Sequence, residues 1–428
     1  MSDVNRCLRH VVVHAYQNVA FYRDLFDREG VNPSAVRGVE DLPLLPVISR
    51  VDLMAGGTAS YLRLGVDPKK LHVKHTTGTT GNPVTVYMNF MERLFRQIVF
   101  FDAYGRHARL TLPLILVDVG PERKDAVTEV FSRGTLVTRV SLFRSMPVRE
   151  QISILTRLKP TVIAGRPSTL WELACALKDQ GITPPRPRVI VSNVEMLFGH
   201  VRLLVEEVFG CPVVDYYNCE EVGNLAWQCP RHPDLMHPNT ALGWLEAVDR
   251  QGIAVLPGME GRLVVTNFFN YTMPFIRYSM GDRGVILERG KCACGFDGPV
   301  MRLTEGRDEN FIVLPDGREI TPRLMFDVIN TGFPHDLPGW NMIDAIRTFQ
   351  IVQEKDDRIV VRVVAGPAYS EALWPPVRSN LARLHPSMRL EVECVDSLAP
   401  PPGKKFHQVL GKLSSRWKNE REGRSVSV

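Results

Sequence analysis

Over residues 112–215 the chain switches repeatedly between strand and helix periods, and that alternation restricts its fold more than any other feature. Leu112-Pro113-Leu114-Ile115-Leu116-Val117 is a short apolar run closed by Gly120-Pro121, as a buried strand would be. Helical spacing over 147–158 precedes Thr161-Val162-Ile163-Ala164, a helix over 168–180 precedes Arg188-Val189-Ile190-Val191, and a helix over 199–209 precedes Pro212-Val213-Val214-Asp215. Parallel neighbours need a long crossover, usually a helix, so this order predicts a parallel sheet with helices on its faces. Ligands of such sheets sit beyond the carboxyl ends of the strands. Two polar segments follow those ends, Gly165-Arg166-Pro167-Ser168 and Ser192-Asn193-Val194-Glu195.

The flanks extend the plan. A chain of 428 residues exceeds one ordinary core and implies two or three domains. Residues 4–30 place Val11, Val12, Ala15, Val19, Tyr22 and Leu25 at helical spacing, and another helix is expected near 91–104. From 241 to 290, short alternating strands such as Gly261-Arg262-Leu263-Val264-Val265-Thr266 predict a mostly antiparallel subdomain. Past about residue 306 the order is strand, helix (322–330), strand (349–353), strand (358–364), helix (370–384), strand (389–395). This is the split βαβ pattern of a small ferredoxin-like α+β domain. The expected fold class is therefore α/β, with a large multi-subdomain N-terminal domain over 1–305 and a small C-terminal domain over 306–428.

Composition narrows the partners. Hydrophobic content of 44% and charged content of 23% are those of a globular protein, and a net charge of +5, dispersed along the chain, argues against a nucleic-acid partner. Met1-Ser2-Asp3-Val4-Asn5-Arg6 has no charged-then-apolar pattern and no apolar run reaches the length of a membrane span, which predicts a cytoplasmic protein with no membrane partner. Eight cysteines in so long a chain do not form a disulfide scaffold, yet Cys219, Cys229, Cys292 and Cys294 fall within one quarter of it.

The densest polar motif is His75-Thr76-Thr77-Gly78-Thr79-Thr80-Gly81-Asn82-Pro83, just before the strand-like Val84-Thr85-Val86-Tyr87-Met88. Glycines let successive N–H groups converge on an anion, and threonine hydroxyls add donors without bulk, so the loop suits phosphate; an ordinary polar hairpin turn is the plainer reading. It is not a Walker A loop, since Gly81 is followed by Asn82-Pro83 and a strand. Asp215-Tyr216-Tyr217-Asn218-Cys219-Glu220-Glu221 ends a predicted strand with paired carboxylates beside two aromatics, suited to Mg²⁺ and a purine face, or to a solvated acidic turn. In Arg277-Tyr278-Ser279-Met280-Gly281-Asp282 the aspartate could accept both ribose hydroxyls, and Arg277 could face phosphate or pair with an acid.

These segments, followed by Glu305-Gly306-Arg307-Asp308-Glu309-Asn310-Phe311 and Pro402-Gly403-Lys404-Lys405-Phe406, occur in the order found in adenylate-forming enzymes. With Val19-Ala20-Phe21-Tyr22-Arg23 and Leu42-Pro43-Leu44-Leu45-Pro46, the chain resembles the phenylacetate-CoA ligase branch and its capsule-biosynthesis relatives over most of its length. The resemblance implies an AMP-forming acid–thiol ligase that joins a small, aromatic or other, carboxylic acid to AMP from ATP and passes the acyl group to CoA. An amine, a carrier thiol, another nucleophile or a non-catalytic nucleotide-binding homologue are the alternatives. It implies that Thr76, Thr77, Gly78, Thr79, Thr80 and Gly81 grip phosphate, that Glu221 ligates Mg²⁺, that Tyr217 and Asn218 lie at adenine, that Asp282 holds ribose and that Arg307 helps bind nucleotide. The small domain would turn about a hinge near Glu309 to deliver the adenylation lysine. Matching Phe406 to Val409 with the family's tail favours Lys405, while Gly403-Lys404 fits its glycine–lysine pair. A homodimer is implied by analogy.

Several positions depart from the family pattern. Asn82 stands where lysine is usual, Asn218 for glycine, Glu220 for threonine, Glu309 for aspartate, and Asn193-Val194-Glu195 for the Gly-Gly-Glu beside the acyl pocket. Cys229-Pro230-Arg231-His232 and Cys292-Ala293-Cys294 offer two short pairs of soft ligands, a Cys₃His set suited to structural zinc. Relatives in the branch carry a similar arrangement. His232 has the better local spacing and His237 the better match to the family position.

Overall fold

A computed structural model describes residues 2–75, 84–108, 110, 112–120, 131–133, 137–288, 290–307, 311–333, 342–398 and 406–411. Of the described residues, the chain divides into two compact units, one of 2–280 and 284–303, the other of 281–283, 304–398 and 406–411.

The first unit opens with α1 (Ser2–Asn18) and α2 (Ala20–Arg28). The single helical pattern is split by Val19, whose extended backbone (φ −127°, ψ 115°) bridges Arg63, although Val11, Val12, Ala15, Val19, Tyr22 and Leu25 are all buried as their spacing requires. Next come the antiparallel strands β1 (His72–His75) and β2 (Thr85–Met88), then α3 (Phe90–Gly105). Asn89 and Glu92 form a capping box, and the second Glu92 oxygen accepts the N–H groups of Tyr271 and Thr272 at 2.9 Å each. The carboxylate thus satisfies the helix start and ties it to a distant loop.

The alternating region follows as β3 (Leu114–Val119), β4 (Phe131–Arg133), β5 (Val137–Leu142), α4 (Val148–Leu158), β6 (Val162–Gly165), α5 (Pro167–Asp179), β7 (Val189–Asn193), α6 (Gly199–Phe209) and β8 (Val213–Cys219). Strands β5, β3, β6, β7 and β8 are parallel neighbours in that order. Alternate residues of each strand share a face. Leu114 and Leu116, Val162 and Ala164, Val189 and Val191, Val214 and Tyr216 therefore build one buried layer with Ala103, Tyr104 and Trp227. Pro167 at the first position of α5 and left-handed Gly210 (φ 63°) after α6 start and stop their helices where those residue types cost least.

Antiparallel strands extend the sheet: β9 (Gly223–Gln228), β10 (Met236–Pro238), β11 (Gly243–Val248), β12 (Glu260–Asn267), β13 (Tyr278–Ile286) and β14 (Met301–Arg307). The order is β11-β12-β13-β14-β10-β9-β8-β7-β6-β3-β5-β4, and Ile48–Ser49 adds to β13 in parallel. The N-terminal segment closes on this edge. Tyr22 donates to the carbonyl of Pro274 at 3.0 Å and accepts from the N–H of Ile276, His14 reaches the carbonyl of Tyr271, and the N–H of Ile48 reaches the carbonyl of Arg277.

Arg277 is the rivet of this junction. It is 1% exposed, holds a left-handed backbone (φ 48°), pairs with Glu246 through Nε and Nη2 at 3.2 and 3.1 Å, and donates to the carbonyls of Leu45 and Gly252 at 2.6 Å. Of the two roles open to Arg277 in the sequence, the buried acid pair is the one realised. Four of its five N–H donors meet oxygens within the protein, and the side chain is buried away from any phosphate.

In the second unit β15 (Ile346–Lys355), β16 (Arg358–Ala365), β17 (Arg389–Cys394) and β18 (Val409–Leu410) form a sheet ordered β17-β16-β15-β18, with α7 (Pro322–Asn330) before β15 in sequence and α8 (Trp374–Leu384) between β16 and β17. The strand expected before α7 is instead a separate hairpin, Ile312–Val313 with Glu319–Ile320, and β18, parallel to β15, takes the fourth place. Phe326 stacks on Phe349 at 5.4 Å, and Phe333 packs edge-on against Trp374 at 5.5 Å. Among the described residues no helix is long and apolar enough to cross a membrane.

Candidate functional site

Strand β8 emerges from the buried layer at Tyr216 and carries Tyr217, Asn218, Cys219 and Glu220 out to the turn that begins β9. Tyr217 is half-buried with its hydroxyl 3.6 Å from Met280 Sδ. The next carboxylate turns inward. Glu221 is 9% exposed and accepts the Tyr278 hydroxyl of β13 at 2.9 Å. Burial first, and the Glu221 charge second, hold the Tyr278 phenol protonated far above its usual range, so it remains a donor to the carboxylate. A single fixed carboxylate of this kind fits Mg²⁺, which takes one or two protein carboxylates and completes its shell with water and phosphate oxygens. Burial also raises the Cys219 thiol, whose sulfur accepts the Val222 N–H at 3.3 Å, so Cys219 is a turn residue rather than a ligand.

His75 pairs with Thr85, so the threonine motif lies between two antiparallel strands in sequence. Thr76, Thr77, Gly78, Thr79, Thr80 and Gly81 lie outside the described residues, as do Glu309, Lys404, Lys405 and the side chain of Arg307, whose backbone ends β14. Asp282 lies on β13, four positions beyond Tyr278. Two cations that the motifs do not name are also present: Lys74 of β1 and Arg96 of α3 both approach Glu220. Their signal in the sequence is weak, because Arg96 is one of several charges on a helix and Lys74 a lone lysine in a short strand.

Along the carboxyl ends of β6 and β7 the polar segments meet. A Glu195 oxygen accepts the Ser168 N–H in the first turn of α5 at 3.2 Å, a favourable place for a carboxylate. Val194 holds φ 74°, a costly conformation for a β-branched residue, and such strain collects at ligand sites. On β8, Asp215 accepts the Ser192 hydroxyl at 2.9 Å, and burial pushes its carboxyl up to about 6.

A second cluster lies apart from these. Cys229, His237, Cys292 and Cys294 bring one ligand atom each to within 4.8 Å of one another. The Cys229 and Cys292 sulfurs are 3.7 Å apart, and the Cys294 sulfur is 3.2 Å from His237 Nε2. Thiolates at about 2.3 Å from a tetrahedral ion stand about 3.8 Å from each other, so the spacing fits a Cys₃His set. The Cys294 amide holds the Cys292 thiol below its ordinary range, whereas burial pushes Cys229 up to about 11. Of the two histidines, the fold gathers His237, which β10 turns into the core, and leaves His232 exposed in the turn before it.

No family model matches the chain. The phenylacetate-coenzyme A ligase of Thermus thermophilus is 25% identical over 354 residues, covering 78% of this chain and 76% of that protein. A 2-hydroxyisobutyryl-CoA ligase, crystallised in the postadenylation state, superposes over 99% of this chain and 92% of its own with a TM-score of 0.75 at 20% identity. The amide bond synthetase McbA of Marinactinospora thermotolerans covers 82% of this chain and 70% of its own with a TM-score of 0.54 at 18% identity. The likeness to these solved structures lies in the fold. By sequence the chain is similar to phenylacetate-coenzyme A ligases over 64–78% of its length, and its fold is that of the solved CoA ligases.

Proposed function

We propose that this protein activates a small carboxylic acid with ATP and transfers the acyl group to the thiol of CoA. The observation that carries the reading is the Glu221 carboxylate, buried at the end of β8 and held by Tyr278 beside the threonine-loop hairpin. In the first step a carboxylate oxygen of the acid bonds to the α-phosphorus of ATP and the bond to the β-phosphate oxygen breaks, giving acyl-adenylate and pyrophosphate. In the second the thiol bonds to the acyl carbon, AMP leaves, and the thiol proton passes to solvent.

Residues 1–305 and 306–428 are assigned as the adenylation domain and its smaller partner. Glu221 is the residue suited to Mg²⁺, which when bound would neutralise phosphate charge. We assign the triphosphate to Thr76–Gly81, adenine to the face of Tyr217 and the neighbourhood of Asn218, ribose to Asp282, and further nucleotide contact to Arg307. Lys405, with Lys404 beside it, is assigned the charge on the developing pentavalent phosphate, a role that suits a compact ammonium. The Cys229, His237, Cys292 and Cys294 set is suited to a structural Zn²⁺ with no open position. Likeness to an amide bond synthetase supports a second reading in which an amine replaces the thiol.

The test is pyrophosphate release from ATP and Mg²⁺ across aryl, arylalkyl and aliphatic acids, each with and without CoA. Release that depends on an acid and is accelerated by CoA is expected. Release indifferent to CoA sends the acyl group to an amine or another acceptor, and bound ATP with no release under any acid refutes catalysis. Lys405→Ala is expected to lose adenylation while still making thioester from supplied acyl-adenylate; if Lys404→Ala does so instead, the two assignments exchange.

A further inference from the structure

The threonine motif contains no lysine or arginine, so fixed positive charge for an anion must come from residues that flank it. The fold supplies it. Lys74 lies on β1 immediately before the motif begins at His75, and its ammonium is 3.3 Å from Glu220 Oε2. From α3, Arg96 brings Nη2 to 3.4 Å from the same oxygen. The Arg96 guanidinium also donates to the carbonyls of Glu220 at 2.6 Å and Cys219 at 3.4 Å, which fixes its plane against the β8–β9 turn. Arg139 of β5 acts on both Lys74 and Glu220 through space while paired to Asp118. Burial lowers the Lys74 ammonium, and the charge of Glu220 opposes that.

Glu220 is a weak occupant of this position. Charge-assisted N–H···O contacts close to about 2.7–2.9 Å when geometry allows, and here one carboxylate oxygen is stretched between two cations at 3.3 and 3.4 Å. The Glu220 side chain is 42% exposed and within reach of solvent, whereas Arg96 is fixed and 13% exposed. A polyphosphate carries more charge and more oxygens than one carboxylate and satisfies both cations at full contact.

We propose that Lys74 and Arg96 form a polyphosphate-binding pair and that Glu220 is their resident counter-anion, displaced when the phosphates of ATP or free pyrophosphate arrive. The proposal rests on the reading of the chain as an ATP-using enzyme and adds two binding residues and a competing one to it. It makes an acid beside the nucleotide site an obstacle to binding: removing the charge of Glu220 strengthens binding, provided Lys74 is present.

The experiment is calorimetric titration of inorganic pyrophosphate, and separately of ATP, into the full chain without any carboxylic acid. Glu220→Gln is expected to bind both about fivefold more tightly, the upper end for a partly exposed ion pair. Lys74→Met is expected to bind about tenfold more weakly, through loss of one charged contact. In the double variant the Glu220→Gln gain is expected to shrink, since the two residues are coupled. Weaker or unchanged binding by a folded Glu220→Gln protein overturns the proposal, as does an equal gain with and without Lys74. A measurement on the unaltered protein guards against a variant that fails to fold: pyrophosphate is expected to protect Lys74 from amine acylation, read by peptide mass spectrometry, and an unprotected Lys74 overturns the proposal as well. If the unaltered protein binds neither ATP nor pyrophosphate, the ATP-using reading falls first and takes the proposal with it.

Discussion

Replacing Tyr278 by phenylalanine removes one hydroxyl from the contact that holds Glu221. The ring keeps its edge-on packing against Phe275 at 5.3 Å, so the perturbation is confined to the 2.9 Å hydrogen bond. Both partners are buried, at 2% and 9% exposure, and water does not readily replace the lost donor. A hydrogen bond to a charged group is worth about 1.5–3 kcal/mol. At about 1.4 kcal/mol per decade, the variant is expected to lose roughly 10- to 150-fold in kcat/KM for Mg·ATP. The assay is acid-dependent ATP–pyrophosphate exchange at several Mg²⁺ concentrations. The Mg²⁺ needed for half-maximal exchange is expected to rise, because a carboxylate released from Tyr278 spends less time aimed at the ion. The melting midpoint is expected to move by only a few degrees. A loss below about threefold, or one that appears in KM for the acid alone, would refute the argument that Tyr278 orients a metal-binding carboxylate.

Other features predict distinct outcomes. The purified protein is expected to carry zinc, lost with a lowered melting midpoint in His237→Ala and retained in His232→Ala; equal metal content in the two variants, by elemental analysis, would reject the Cys₃His assignment. Glu246→Ala strands the Arg277 charge, at a cost of about 3–5 kcal/mol. For a unit of about 300 residues that corresponds to a midpoint fall of about 5–8 °C, and adding Arg277→Met is expected to recover part of it. Asp215 has a folded pKa of about 6, above its unfolded value of 3.8, so the folded chain holds the extra proton between these values and stability falls as pH rises through that window. Asp215→Asn is expected to flatten that slope, removing about 1.3 kcal/mol of the difference between melts at pH 5 and pH 7; an unchanged slope would refute it.

The alternation over 112–215 is legible because strands buried on both faces are continuous apolar runs and the intervening helices repeat near 3.6. Thus β6 and β7 begin within one residue of where the sequence places them, at Val162 and Val189. Short strands are opaque for the same reason. Val409–Leu410 offers two residues and no period, yet takes a sheet edge in the second unit, while the strand expected before α7 pairs into its own hairpin. Side-chain partners are the other blind spot. Arg277 reads equally as a phosphate ligand or an ion pair until Glu246, 31 positions away, is seen opposite it. The metal set is similar: spacing proposes two histidines, and the inward turn of β10 selects His237. Lys74 and Arg96 become visible only when β1 and α3 face the same turn.

The junction riveted by Arg277 also sets an order of events during synthesis. The first fifty residues leave the ribosome earliest, but the carbonyl of Leu45 meets Arg277 232 positions later, and Tyr22 meets Pro274 252 positions later. At about 5–20 residues per second, α1 and α2 must keep an apolar face without its final cover for roughly 10–50 s. Nascent chains arrested before Tyr271 are expected to be cut by protease within α1 and α2, and chains extended past Ile286 to resist. A segment translated long before its partners is thus among the last to be secured, and α1 and α2 are where chaperone dependence should concentrate.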